Sequence, residues 1–517
     1  MMEERILPYA QYIGINKPVN PGIQVLIDFL SFYFGIDVQR KSISNFQWKD
    51  IREKIFTMII CKEEQKEVKE ELFQSVYEWI HNYATYSPVD GKNSREYLLP
   101  LTEGMLFYDR RVTDNLRNVL NTLLYSECDE KEQVEIFKEI QELLYEFLYS
   151  PEARKGGYEE LLDILISLFN EDGTDKKKEE IDIEKSVEIR WKPEKLSLEL
   201  RKDLRNILQS TYLKKENIYK RINELNILLN FYVVRYMISR SFENNENFIL
   251  AKGSVNMPPE GRIHSAAFGN FASIREQIYK VSENYYYEII NNINQEDKQL
   301  ILRQKEKDPS TNSHIILKRG RDDIWLDVRV AVFQIRKNPS TNADKSAAET
   351  VENMLYNYIG EDGKDTFTNN QEIAHACMEI SKKRASSVRK VASVFSSQGK
   401  ECYFAYPVGS VRQKYYVMSP QFTELMVHLF LGEQEDGCGT LGMLYQWLEE
   451  KYSIYLRYSF KLENYLKKNA IEQPSQNEFE DNQRAFIETL REINCIVKLS
   501  DNSYIITFDT EEGGWWN

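Results

Sequence analysis

The sequence predicts a mainly α-helical, multi-domain protein, with helical bundle domains, a middle domain bearing a β-hairpin, and C-terminal modules of paired helices followed by paired strands. Three observations carry this. Long stretches repeat apolar residues at spacings of three and four, the period of one helix face. Runs with strand character are few and lie in the second half of the chain. A length of 517 residues also exceeds what one hydrophobic core fills, so about two to four domains are expected. A hydrophobic content of 42% with 12% aromatics supports packed cores rather than wholesale disorder.

From Ile23 to about Asn170 the pattern is mostly helical. Glu71-Leu72-Phe73-Gln74-Ser75-Val76-Tyr77 and Val134-Glu135-Ile136-Phe137-Lys138-Glu139-Ile140 carry apolar stripes of the kind that pack a bundle. Residues 171–188 then lose periodicity and become charged, including Asp175-Lys176-Lys177-Lys178-Glu179-Glu180, which reads as a linker closing a first domain over 1–170. A second helical block opens the middle domain, 189–368. Its longest helix, Ile218 to about Ser241, is apolar on most of its circumference and is expected at the centre of a core.

The texture changes between Ala251 and Phe271, where Gly, Pro and small residues predict a long loop carrying Arg262 and His264. Long loops in compact domains are functional or mobile, so both residues are candidates for phosphate contact. Next, His314–Lys318 and Ile324–Ile335 flank the turn residues Arg319-Gly320-Arg321-Asp322-Asp323, predicting a β-hairpin. Matching breakers, Lys307-Asp308-Pro309-Ser310-Thr311-Asn312 and Lys337-Asn338-Pro339-Ser340-Thr341-Asn342, close its two ends.

Residues 369–419 reverse the charge of the chain. Helices are expected from Asn370 to about Lys382 and from about Ala385 to Ser396. The aromatic runs Cys402–Tyr406 and Tyr415–Met418 follow as strands around a loop. Between Gln371 and Lys414 stand eight basic residues and three acids, whereas the whole chain carries −14. A basic face on an acidic protein is the footprint of a nucleic-acid contact. Lys382, Lys383, Arg384, Ser386, Ser387, Arg389 and Lys390 would reach phosphates and base edges from a helix in the major groove, with Arg412 and Lys414 on the strand pair. A protein-docking module or a solvated basic face is the competing reading.

Residues 420–517 repeat the plan. Gln421–Leu431, Thr440–Tyr452 and Asn477–Asn494 are the expected helices, and Cys495–Phe508 forms a hairpin turning at Asp501-Asn502. The third helix opens on Glu478, Glu480 and Asp481, which opposes insertion beside phosphates and points to protein contact or packing. The tail Trp515-Trp516 is expected to pack on the core or to anchor a partner.

From about Asn369 to Phe508 this succession of helices and strand pairs resembles the winged-helix superfamily. Large helical domains ending in one or two C-terminal winged helices look like accessory subunits of bacterial multi-gene DNA-processing and phage-defence (antiviral defence) systems, including phosphorothioation-dependent restriction. The resemblance implies a non-catalytic complex subunit that binds double-stranded DNA. Other protein subunits, an ATPase or a nuclease among them, would be its partners.

Catalytic signatures point elsewhere. Gly360–Thr366 has the wrong glycine spacing for a phosphate-binding loop, and no nucleophile elbow, zincin helix or dinucleotide fingerprint occurs. A divergent metal-dependent nuclease is a remaining alternative, resting on Asp327 with Gln334 and Arg336 where an acid and a lysine are needed. The six cysteines are scattered without zinc spacing and read as reduced thiols. No catalytic residue, metal or cofactor is assigned. No run approaches the roughly 18 apolar residues of a membrane span, and the start lacks a signal peptide, so a cytoplasmic location is expected.

Overall fold

A computed structural model describes residues 23–35, parts of 71–86, 97–107, 116–125, 128–154, parts of 162–165, 194–242, 247–307, parts of 371–378, 395–396, 399–407, 413–501 and 503–508. These are mainly helical, with a few small sheets. They fall into two compact units, one within Met1–Pro18, Met237–Asn245 and Ile274–Phe395, the other within Val19–Tyr236, Glu246–Ser273 and Ser396–Asn517. Among the described residues no helix is long and apolar enough to cross a membrane.

In the larger unit, α1 (Ile23–Tyr33), α2 (Leu116–Tyr125) and α3 (Glu130–Leu148) form the first helical layer. Every residue of α1 is buried. That burial encloses Asp28, which is compensated by Arg117 of α2 at 3.1 Å. The Tyr33 ring stacks on Phe137 at 5.0 Å. Helix α3 starts at a capping box, in which the Asp129 carboxylate accepts from Glu132 N and the Glu132 carboxylate accepts from Asp129 N. A short antiparallel pair, β1 (Thr85–Tyr86) with β2 (Tyr97–Leu98), belongs to the same stretch.

Helix α4 (Glu194–Gln209) joins this layer to the rest of the unit, as its Arg205 grips Glu139 of α3 through two bonds of 2.7 and 2.6 Å. Helix α5 (Ile218–Ser241) is buried along almost its whole length, as its continuous apolar sequence requires. Its Phe231 meets Phe404, Phe422 and Tyr452 at 6.0, 5.0 and 5.4 Å, so residues nearly two hundred positions downstream complete its core.

Strand β3 (Ile249–Leu250) is followed by α6 (Arg262–Lys307). The long loop expected over 251–271 is therefore corrected: it ends at Gly261, whose φ of +97° suits glycine, and Arg262 opens a helix. The downstream strands are β4 (Ala405–Tyr406) paired antiparallel with β5 (Tyr415–Tyr416), as the two aromatic runs predict.

The last segment holds α7 (Pro420–Leu431), β6 (Gly439–Thr440), α8 (Leu441–Tyr452), β7 (Ile454–Tyr455), α9 (Phe460–Lys468), α10 (Gln476–Glu492), β8 (Ile496–Lys498) and β9 (Tyr504–Ile506). Ser419, Thr440 and Ser475 cap α7, α8 and α10 with side-chain oxygens. Strand β9 lies between β6 and β8, antiparallel to both. Helix α9 was not expected from the sequence.

The smaller unit includes α6 beyond Ser273, where Ile274, Ile278 and Val281 are buried at helical spacing. There His375 Nδ1 lies 3.1 Å from Glu283 Oε2. The linker over 171–188, the hairpin of 307–345 beyond Lys307, and the Trp515-Trp516 tail lie outside the described residues.

Candidate functional site

The segment Ala251-Lys252-Gly253 runs between two strands. On one side β3 pairs in parallel with β7, and Ala251 N donates to Tyr455 O at 3.1 Å. On the other, Lys252 N donates to Tyr416 O at 3.0 Å, and Met418 N donates to Lys252 O at 2.8 Å. Helix α10 closes the third side. Asn482 donates to the carbonyls of Ala251 and Leu456, each at 3.0 Å, and accepts from Gly253 N at 2.8 Å. Thr489 Oγ1 donates to Gly253 O at 3.0 Å. Every polar group of this interior crossing is thus matched.

Lys252 is fully buried, and its Nζ donates to the carbonyls of Met257 and Pro258 at 3.0 and 3.2 Å. The ammonium also lies 4.7 Å from the centre of the Tyr415 ring. Burial lowers the Lys252 pKa to about 8. The His264 ring meets the same Tyr415 ring edge-on at 4.6 Å, and burial followed by the charge of Lys252 lowers its pKa. Lysine, tyrosine and histidine thus form one cluster, with the lysine folding the loop 254–260 over itself.

Arg262 and His264 sit on the first turn of α6. Arg262 is 60% exposed, with Nε 3.7 Å from Glu472, and its backbone N donates to Glu478 Oε1 at 3.3 Å. Glu472 thus faces the Arg262 side chain and Glu478 its backbone. His264 turns its ring inward to Tyr415.

Lys414, expected on an exposed strand pair, is only 2% exposed, and its Nζ donates to Pro407 O at 2.8 Å. Strand periodicity accounts for this: Lys414 shares a face with Tyr416, two residues on, which is wholly buried. Lys382, Lys383, Arg384, Ser386, Ser387, Arg389, Lys390 and Arg412 lie outside the described residues, as does Asp327.

A second polar centre, around Asp203 of α4, escaped sequence reasoning. Its buried carboxylate accepts from Tyr232 at 2.5 Å, from Tyr452 at 2.6 Å, and from Lys451. Burial and then the Asp203 charge hold both phenols well above the usual tyrosine range. Lys451 also reaches Glu433, which in turn lies 2.9 Å from Lys202. Burial raises the Glu433 pKa, but the two lysines outweigh it and hold it below the ordinary carboxylate value. Arg235 lies over the Tyr452 ring at 4.7 Å and pairs with Glu199. The only signal in the sequence was an aspartate on the apolar side of an amphipathic helix, flanked by Leu200, Leu204 and Ile207.

Chemically, both clusters tie elements together. Lys252 directs its protons to carbonyls, and Asp203 is saturated by three donors. Among the described residues no three His, Cys, Asp or Glu side chains gather as metal ligands. Comparison with known proteins finds no family model, no curated protein and no solved structure that matches the chain.

Proposed function

We propose that this protein is a DNA-binding, non-catalytic subunit of a multi-protein bacterial DNA-processing or phage-defence complex, holding duplex DNA through a basic winged helix over 369–419. The observation that carries the reading is the charge reversal in the sequence: eight basic residues against three acids between Gln371 and Lys414, on a chain of net charge −14, with Lys414 and Glu401 buried and therefore outside the contact. The net negative charge of the remainder repels duplex DNA and limits nonspecific affinity.

Winged-helix character in the last segment is supported by its strand order, in which β6 precedes α8, α10 precedes the β8–β9 hairpin, and β9 lies between β6 and β8. The exposed residues Glu480, Asp481 and Glu488 on α10 favour protein contact for this second module. That observation also supports a second reading, a protein-binding scaffold without DNA contact.

A duplex titration of the full chain at two salt concentrations, with and without magnesium, tests the proposal. Affinity that falls steeply with salt and is abolished by Arg389→Glu/Lys390→Glu is the expected result. Unchanged binding by that variant would displace the site. No binding at low salt would leave the scaffold, and cleavage with magnesium would favour the nuclease alternative, to be checked by Asp327→Ala.

A further inference from the structure

Helix α9 presents an unusual outer face. Leu462 and Leu466 point into the core that α9 shares with Ile263, Ala266 and Ala267 of α6. At about 100° per residue, Phe460, Asn464, Lys467, Lys468 and Lys461 fall within one arc of about 120° opposite those leucines, and all five are exposed. Phe460, at 69%, is the most exposed large hydrophobic among the described residues, and Tyr458 just before it is 45% exposed.

The arc contains no acid. Glu463, the one acid of the helix, lies at its margin with both oxygens occupied, accepting from Tyr458 Oη at 2.7 Å and from Lys467 Nζ at 3.1 Å. Three lysines against one glutamate leave a local excess of two positive charges on a protein of −14.

We infer that this face of α9 binds single-stranded nucleic acid, with its lysines on the phosphates and Phe460 stacked on a base. Charge complementarity selects a polyanion, and the aromatic selects the strand state. An exposed ring can stack on an unpaired base, whereas bases of a duplex are already stacked on one another. The proposed contacts use no residue of the basic segment 369–419, and the inference does not depend on the duplex reading.

Titration of the full chain with labelled oligo-dT, oligo-rU and a duplex, followed by fluorescence anisotropy, tests it. Binding to a single strand is expected to weaken at least about fivefold in Phe460→Ala and to be kept in Phe460→Trp, with duplex binding unchanged in both. Lys461→Gln/Lys467→Gln/Lys468→Gln should flatten the log–log salt dependence on the single strand by about 2, at about 0.7 per released phosphate contact. A preference for dT or rU identifies the source as DNA or RNA.

No binding to either single strand at low salt would overturn the inference. So would Phe460→Ala binding as tightly as the parent, or lysine variants that lose duplex and single strand alike. Arg389→Glu/Lys390→Glu, titrated in parallel, reads the other surface, so failure of one site is distinguishable from failure of the other.

Discussion

At Gly253 a Cβ atom would stand 2.1 Å from the main-chain oxygen of Asn482 and 2.7 Å from Phe486 N. Neither is a flexible side-chain end, so Gly253→Ala must push α10 off the strand crossing. A loss of about 3 kcal/mol or more in chemical unfolding is expected. Its neighbour Lys252 sets a pH dependence. The folded pKa of about 8 lies below the ordinary 10.5, so between these values the unfolded chain holds more protons and stability rises with pH. Lys252→Met should remove that rise, measured as the difference in urea midpoint between pH 7.5 and 9.5. Equal pH dependence in both proteins would contradict the placement of the amine. None of this was legible beforehand, because Lys252-Gly253-Ser254 reads locally as loop chemistry, and its burial depends on strands and a helix contributed from beyond residue 415.

Among elements, legibility followed how far each depends on its own residues. Helix α5 was evident because its apolar run is continuous, and α7, α8 and α10, which Ser419, Thr440 and Ser475 cap, lie within about two residues of the expected bounds. Helix α9 was missed: nine residues with four charges give a weak stripe, carried by Leu462, Tyr465 and Leu466 alone. The first turns of α6 were hidden by the preceding Pro258-Pro259-Glu260-Gly261, which drew the reading toward loop. Two expected outcomes belong here. Ser475→Ala removes the capping box of α10 and should cost about 1 kcal/mol in thermal or urea unfolding. Asp203→Ala leaves the buried Tyr232 and Tyr452 hydroxyls without their acceptor between α4, α5 and α8, with Lys451 held by Glu433 alone, and should cost about 2–5 kcal/mol.

On the scale of the whole molecule, the mainly helical class followed from periodicity, while the long-range pairings had no sequence signal because two-residue strands carry almost no pattern. The larger unit is assembled from three separate stretches of chain. Phe231 packs on Phe404, Phe422 and Tyr452, and Asp203 binds Lys451 and Tyr452, so the earlier stretches cannot close their core alone. Deleting Ser396–Asn517 should therefore abolish the cooperative thermal transition of this unit, as read by near-ultraviolet circular dichroism. A retained sharp transition would show that the earlier stretches fold independently.

The parallel pairing of β3 with β7 has a consequence for how the protein is made. Its two strands are roughly two hundred residues apart, so at about 5–20 residues per second the ribosome releases the first about 10–40 s before the second. Until Tyr416–Met418 is made, which is most of that interval, the nascent Ile249–Lys252 strand has neither of its neighbours, and both of its hydrogen-bonding edges are open to any extended chain nearby. A chaperone that holds extended apolar segments would meet its substrate in that interval, and its hold would end when the last hundred residues arrive.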